Sequence, residues 1–282
     1  MANAILLVSC PDQKGLVARL ADFIYRHGGN IIHADHHTDA SASLFLSRLE
    51  WELEQFDLGP DEIAPAFESF GQSISADWEI HFSDAVTRMA VWVSRQDHCL
   101  LDLLWRQRAG ELAAEVPLMI SNHADLEPVA RQFGIDFHHL PIDPDNKPAT
   151  EARQLELLAD YRIDLLVLAK YMQILSDDFV GRFGRIINIH HSFLPAFAGA
   201  SPYHRAHERG VKIIGATAHY VTAELDEGPI IEQDVARVSH RDTVADLIRK
   251  GKDLERLVLA RAVRHHLENR VLIYRNRTVV FA

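Results

Sequence analysis

The chain has 282 residues, of which 48% are hydrophobic, and this is enough apolar material for two domains with full cores. The formal net charge is −11 and no stretch concentrates Lys and Arg, which argues against a nucleic-acid partner. No apolar run approaches the roughly 18 residues of a membrane-spanning helix, and the N terminus lacks a secretory signal pattern. Two cysteines are too few for a disulfide framework. We therefore expect a cytoplasmic protein, without a membrane partner, that binds a small molecule or another copy of itself.

The first 84 residues predict the element order β-α-β-β-α-β. Helical spacing of apolar residues indicates helices at 11–27 and 59–74, and the Gly28-Gly29 pair ends the first of them. Apolar or alternating runs predict strands at 4–10, 30–39, 43–53 and 76–84. This order is the ferredoxin-like, split-βαβ plan, which we assign to a first domain over 1–84.

Residues 85–282 predict a second domain of alternating strands and helices. Near-continuous apolar strands are predicted at 87–94, 116–122, 136–142, 163–170, 185–189, 212–221 and 229–238. Helical windows separate the first five strands, and a long helix at 242–269 precedes a hairpin at 271–281. Such strands favour a Rossmann-like, mostly parallel sheet that is covered on both faces. The fold class is therefore α/β.

Ligands of open parallel sheets bind beyond the carboxyl ends of the strands. The loop after the first of these strands, "SRQDHC" (94–99), contains no glycine, which argues against a phosphate or dinucleotide cradle there. In the first domain, His33, Asp35 and His37 would share one strand face and could suit a transition metal. A solvent-facing strand would look the same, and we favour that interpretation and expect no metal.

Two segments of the second domain place polar side chains where strands end. In "INIHH" (187–191), alternation puts Asn188 and His190 on one face and His191 on the other. A carboxamide beside an imidazole can hold a carbonyl oxygen and move a proton, although on these residues alone a polar loop with no catalytic role is the favoured interpretation. In the second segment, Asp226 precedes a Gly-Pro turn, and His219 could support a neighbouring acid.

Taken together, "NIHHSFLP" (188–195) and "HYVTAELDEGP" (219–229) resemble the formyltransferase family, which uses 10-formyltetrahydrofolate on a Rossmann-like domain. The resemblance covers roughly residues 86–282. It implies that Asn188, His190 and Asp226 are the catalytic trio, with His219 and Ser192 in supporting positions.

Further motifs narrow the resemblance. "AKYMQIL" (169–175) resembles the loop that holds the pterin ring, largely through backbone groups of Met172, Gln173, Ile174 and Leu175. "GASPYHRAHERGVKIIGATAHYV" (199–221) resembles most closely one branch of the family, the formyltetrahydrofolate deformylases. This branch implies hydrolysis of 10-formyltetrahydrofolate to formate and tetrahydrofolate, in one-carbon and purine metabolism, with no cofactor.

The first domain, with "PDQKGL" (11–16) at its first strand–helix turn, resembles an ACT domain, which deformylases carry ahead of the catalytic domain. That resemblance implies pairing between subunits into a dimer or tetramer, and an amino-acid effector site that includes Asp12, Gly15 and Asn30. A purely structural pairing module fits the same residues equally.

The expected mechanism moves a formyl group from an amide-like nitrogen to water. Asn188 and His190 would stabilise the oxyanion, and Asp226 would accept a proton from water and relay it to the nitrogen. A base of this kind works better with a raised pKa, which partial burial of Asp226 would supply.

Two other functions remain open at this level. A formyltransferase to a small amine shares the trio, but transfer to glycinamide ribonucleotide needs a phosphate site, and transfer to initiator tRNA needs a basic surface and a further C-terminal domain. A non-catalytic sensor of folate or amino acids would need the pocket but not the complete trio.

Overall fold

The computed structural model describes residues 2–195 and 202–281 and divides the chain into two compact units. One unit comprises residues 1–85 together with 268–282, and the other comprises residues 86–267. Among the helices of the described residues, none combines the length and the apolar character required to cross a membrane.

The N-terminal part of the first unit has the predicted βαββαβ order. Its elements are β1 (Asn3–Pro11), α1 (Leu16–Arg26), β2 (Ile31–Asp39), β3 (Leu44–Glu52), α2 (Pro60–Ser73) and β4 (Asp77–Phe82). The strands form an antiparallel sheet in the order β2-β3-β1-β4. Leu6 and Val8 of β1 pack with Leu20 of α1 and Phe67 of α2 in one apolar core, so the ferredoxin-like prediction is confirmed.

The second unit alternates strands and helices. It contains β5 (Thr87–Val93), α3 (His98–Arg108), β6 (Ala114–Ser121), α4 (Glu127–Phe133), β7 (Asp136–His139), α5 (Lys147–Asp160), β8 (Leu165–Leu168), α6 (Asp177–Phe183), β9 (Ile186–His190), α7 (Pro202–Arg209), β10 (Ile213–Tyr220), β11 (Ile230–Arg237) and α8 (Val244–Leu267). Each predicted strand and helical window corresponds to one of these elements. The helix α7 was not predicted, because its polar sequence carries no apolar stripe.

The sheet of the second unit has the strand order β11-β10-β9-β8-β5-β6-β7. The five strands from β9 to β7 in this order are parallel, whereas β10 and β11 pair antiparallel. The chain leaves β5 toward β6 on one side, and it leaves β8 toward β9 on the other side. The point where the chain direction reverses therefore lies between β5 and β8, and the prediction of a mostly parallel Rossmann-like sheet is confirmed.

The C-terminal hairpin belongs to the first unit, whereas the sequence division had extended the second domain to residue 282. The hairpin consists of β12 (Val271–Tyr274) and β13 (Arg277–Val280). Leu272 and Phe281 pack against Leu7 and Leu46, on the face of the antiparallel sheet opposite the α1–α2 core. This second layer explains why β1 and β3 are apolar on both faces. The sequence could not reveal it, because a hairpin pattern does not say which sheet it covers.

Gly71, near the end of α2, generates a test of the packing in the first unit. A Cβ at this position would lie 2.5 Å from Nε1 of Trp78, so Gly71→Ala should force the indole away from the helix. We expect the free energy of unfolding to fall by roughly 1–3 kcal/mol, measured by urea denaturation.

Gly181→Ala in α6 is the matched control for this substitution. A Cβ there meets no atom within 4 Å, and the helical backbone suits alanine. This variant should be unchanged or more stable by up to about 1 kcal/mol. Equal destabilisation by both substitutions would contradict the role assigned to Gly71.

Candidate active site

One cleft of about 440 Å³ in the second unit brings the predicted site residues together. Its lining includes Asn188, His190, His219 and Asp226, along with the predicted folate segment 172–175. The lining also contains residues that the sequence analysis did not assign to the site, namely Leu168, Lys170, Tyr171, Ile189, His191 and residues 221–225. The geometry of this cleft decides what each polar group can do.

Asn188 and His190 lie at the carboxyl end of β9 and both line the cleft, as the strand alternation predicts. His191 lines the cleft as well, with its ring stacked on that of His190 at a centroid distance of 4.5 Å. The prediction that His191 faces the opposite side was wrong. The strand ends at His190, so strict alternation no longer applies at the next residue.

The ring of His190 is oriented by a carboxylate. Its Nδ1 lies 3.2 Å from Oδ2 of Asp226, and a carboxylate can only accept, so Nδ1 carries the hydrogen. The other ring nitrogen, Nε2, is buried and has no hydrogen-bond partner among the described residues. A buried polar atom in this state is costly, and Nε2 is therefore the ring atom available to a substrate oxygen.

The imidazole of His219 lies between Asn188 and Asp226. Its Nδ1 lies 2.9 Å from the carbonyl oxygen of Tyr220, so Nδ1 is the donor. Nε2 then accepts a hydrogen bond from the Asn188 amide at 3.2 Å, and it lies 3.7 Å from Oδ1 of Asp226. The side chain is almost fully buried. His219 thus holds the Asn188 amide and flanks the carboxylate of Asp226.

The loop from 221 to 229 places Asp226 beside His190. Because β9 and β10 are antiparallel, with Thr217 opposite His190, this loop starts near the opposite end of β9 and folds back along the sheet. Gly228 allows that path, since a Cβ there would lie 1.8 Å from the carbonyl oxygen of Tyr220. Asp226 itself has a φ of 60°, a left-handed conformation that Asp tolerates better than most residues.

The pKa of Asp226 is shifted in the direction opposite to the one expected from the sequence. The hydrogen bond from Nδ1 of His190 lowers this pKa far below its ordinary value, and it outweighs the partial burial that would raise it. The prediction of a raised pKa was therefore wrong. The physical reason is that the hydrogen bond from His190 stabilises the carboxylate by more than partial burial destabilises it.

The predicted folate segment forms an open apolar side of the cleft. Met172 and Ile174 are each 60% exposed, and Leu225 of the facing loop is 59% exposed. The backbone of the segment is anchored at both ends, because the Met172 N–H donates to Oγ of Ser94 and the Ser176 N–H donates to the buried carboxylate of Glu151. Exposed apolar side chains on a fixed backbone suit a flat aromatic ligand.

Ser192 is buried but is not part of the cleft lining. Its carbonyl oxygen accepts from the Thr217 hydroxyl, which in turn accepts from the Leu194 N–H. These bonds fix the chain just after His191. Residues 199–201, which open the run that resembles the deformylase branch, lie outside the described residues.

The predicted effector residues of the first unit do not come together within one chain. Asp12 and Gly15 lie at the carboxyl end of β1, where Gly15 has a φ of 86° and caps α1. Asn30 donates to Glu52, which pairs with Asn3 at the other end of β1. The nine residues of β1 separate the two positions by about 25 Å, at roughly 3.3 Å per residue.

Comparisons with known proteins agree with this architecture. The family described as formyl transferase matches residues 87–263, and the ACT domain family matches residues 4–71. The formyltetrahydrofolate deformylase of Synechocystis sp. is 68% identical over 280 residues, covering 99% of each chain. The enzyme of that name from Bacillus subtilis is 47% identical and covers 98% of this chain and 93% of its own.

Some solved structures are similar to the whole chain, and others are similar to only part of it. The crystal structure of a formyltetrahydrofolate deformylase from Pseudomonas syringae pv. tomato has a TM-score of 0.97 and 45% identity, covering 100% of this chain and 95% of that one. Glycinamide ribonucleotide transformylase 1 from Symbiobacterium toebii has a TM-score of 0.65 and 38% identity, covering 70% of this chain and 95% of that one. Because the similarity to deformylases spans both units, this chain belongs to the formyltetrahydrofolate deformylase family.

Proposed function

We propose that this protein hydrolyses 10-formyltetrahydrofolate to formate and tetrahydrofolate. One observation carries the proposal: Asn188, His190 and Asp226 meet in a single cleft whose other side is the exposed apolar segment 172–175. The cleft therefore combines groups for acyl chemistry with a surface for a flat ring system. The full-length similarity to proteins named deformylases supports the same reaction.

Asn188 and His190 stabilise the oxyanion in this proposal. An amide group has two N–H donors, so Asn188 can keep its bond to His219 and direct the second hydrogen at the oxyanion. A proton on both nitrogens of His190 lets Nδ1 donate to Asp226 while Nε2 donates to the oxyanion. The negative charge of Asp226 offsets the positive charge of the imidazolium.

Asp226 relays the proton. Because its pKa is lowered, the side chain begins as a carboxylate, which can accept a proton but cannot donate one. As the water oxygen bonds to the formyl carbon, that oxygen becomes more acidic and its proton passes to the carboxylate. The carboxylic acid formed in this way, whose conjugate base is weak, then gives the proton to N10 as the C–N10 bond breaks. The low pKa thus suits a carrier that holds the proton briefly.

A formyltransferase to a small amine is the alternative that the trio itself permits. The absence of glycine in "SRQDHC" (94–99) favours water over a phosphate-bearing acceptor. No cofactor enters the proposed steps, and we retain the cytoplasmic location as a prediction from the sequence.

The first unit is proposed to bind an amino-acid effector at the turn that contains Asp12 and Gly15. Asn30 lies at the opposite end of β1, so it can contribute to that site only from a second copy of the chain. Such sharing agrees with the proposed homo-oligomer of two or four subunits.

The direct test is to incubate the purified protein with 10-formyltetrahydrofolate and to measure formate and tetrahydrofolate. We expect both products in equal amounts, and the same assay with individual amino acids tests the first unit. Enzyme-dependent formylation of glycinamide ribonucleotide in place of formate release would overturn the hydrolase assignment.

Asn188→Ala tests the oxyanion donor. Loss of one such donor lowers the rate on the order of 100-fold or more, while affinity for the folate should change little because the segment 172–175 is untouched. The measurements are kcat for formate release and the Kd of tetrahydrofolate. Retention of more than about a tenth of the wild-type rate would remove Asn188 from the mechanism.

Asp226→Asn tests the proton carrier. The amide keeps the shape and tolerates the φ of 60°, but it cannot accept the proton, so we expect kcat to fall about 100-fold or more. Glu227→Gln, at the exposed neighbouring carboxylate, is the matched control and should retain wild-type kcat.

The charge state of Asp226 can be measured separately. A lowered pKa means that the folded protein keeps the carboxylate ionised down to a pH below its ordinary pKa of 3.8. In protein with ¹³C-labelled Asp carboxyl groups, we expect the Asp226 signal, assigned by its loss in Asp226→Asn, to show no titration between pH 8 and pH 5. A titration midpoint within that window would restore a base with a raised pKa.

A further inference from the structure

A second buried carboxylate lies beside the cleft and is not used by the proposed mechanism. Glu255 of α8 is almost fully buried, and both of its oxygens are bonded. Oε1 accepts from the Tyr203 hydroxyl at 2.9 Å, whereas Oε2 lies 2.7 Å from Nε2 of His98 and 3.3 Å from Nζ of Lys170. We call Glu255, His98, Lys170 and Tyr203 the Glu255 network.

The charges within the Glu255 network balance one another. Burial alone would raise the pKa of Glu255, but the hydrogen bond from His98 and the charge of Lys170 lower it to about 2. The carboxylate is therefore ionised, and the ammonium of Lys170 balances it. A buried ion pair seldom stabilises a fold more than apolar packing of the same volume does, so stability alone does not account for its presence.

The fold accommodates this network at a local cost. Lys170 adopts a φ of 65°, which is unusual for a residue other than glycine. Gly251 stands inside α8, where glycine is less favourable than alanine by about 0.5–1 kcal/mol. A Cβ at Gly251 would lie 2.0 Å from the Tyr203 hydroxyl, so this glycine allows Tyr203 to cross the helix and reach Glu255 one turn later.

The Glu255 network lies at the position where open α/β sheets bind ligands. Open α/β sheets bind ligands in the crevice outside the carboxyl ends of the two strands between which the chain direction reverses. Here those strands are β5 and β8. His98 begins α3 directly beyond β5, and Lys170 follows β8, so both sides of the crevice are tied to Glu255.

The register of the sheet places the Lys170 side of this crevice next to the trio. Leu168 of β8 pairs with Asn188 of β9, so Lys170 follows β8 at the level of His190. Asp226 flanks His190 from the β10 side, and Lys170 lines the same cleft from the β8 side. An acceptor that entered from the crevice would meet the side chain of Lys170, which lines the cleft on that side.

We propose that the Glu255 network excludes amine acceptors from the cleft and thereby selects water as the acceptor of the formyl group. This inference rests on the hydrolysis proposed above. It also explains how a chain can share a fold with transformylases and differ in the acceptor, because the selecting residues lie outside the trio.

The wild-type protein supplies the first arm of the test. It is incubated with 10-formyltetrahydrofolate, with and without glycinamide, a small primary amine, and both formate and N-formylglycinamide are measured. We expect formate only, at a rate that glycinamide does not change. Enzyme-dependent N-formylglycinamide from the wild type would overturn the inference, and a lack of formate release would instead overturn the proposed hydrolysis.

The second arm is the double variant Lys170→Gly/Glu255→Gln. It removes both charges together, and glycine suits the φ of 65°. In this variant, the amine nitrogen should bond to the formyl carbon as the C–N10 bond breaks, and N10 takes up the proton that the amine loses. We expect N-formylglycinamide at least about tenfold above the wild-type background, within the range by which pocket shape discriminates.

Tyr203→Phe is the matched control, because it removes one hydrogen bond of the network but keeps the ring in place. We expect it to release formate and to form no N-formylglycinamide. A folded double variant that forms none either, as checked by circular dichroism, would overturn the inference. If the double variant does not fold, the single variant Lys170→Gly is compared with the wild type by the same measurements of formate and N-formylglycinamide. The absence of N-formylglycinamide from that folded variant would likewise overturn the inference.

Discussion

The reactive part of this protein depends on one carboxylate that two imidazoles share. Asp226 lies 3.2 Å from Nδ1 of His190 and 3.7 Å from Nε2 of His219, and His219 in turn holds Asn188. Each group therefore fixes the tautomer or the orientation of the next one. The same contacts keep Asp226 ionised, so its charge organises the site before any substrate binds.

Glu255 is a second ionised carboxylate at the same edge of the sheet, but its surroundings bury it almost completely. Asp226 retains a surface in the cleft, whereas Glu255 is enclosed by His98, Lys170 and Tyr203. A lowered pKa thus accompanies a carboxylate that lines the cleft in one case and a buried ion pair in the other. Burial, rather than pKa, distinguishes the two carboxylates.

Much of the architecture was predictable because local patterns determine it. The apolar runs of β5 and β8 and the alternation along β9 were sufficient to place the strands, and the resemblance of two short segments predicted the trio. The sequence did not predict α7, whose polar residues follow no helical stripe, or the packing of the C-terminal hairpin on the first unit. Both depend on contacts with residues far away in the chain.

The sequence by itself determined the order of the elements and the absence of a glycine cradle after β5, because periodicity and composition are properties of neighbouring residues, and its resemblance to a known family predicted the trio. Only the tertiary structure decided the direction of the Asp226 pKa shift, the separation of Asn30 from Asp12 and the enclosure of Glu255. Each of these depends on the distance between groups from different strands and helices. Electrostatic interaction varies with that distance and with burial, and neither can be read from the spacing of residues along a chain.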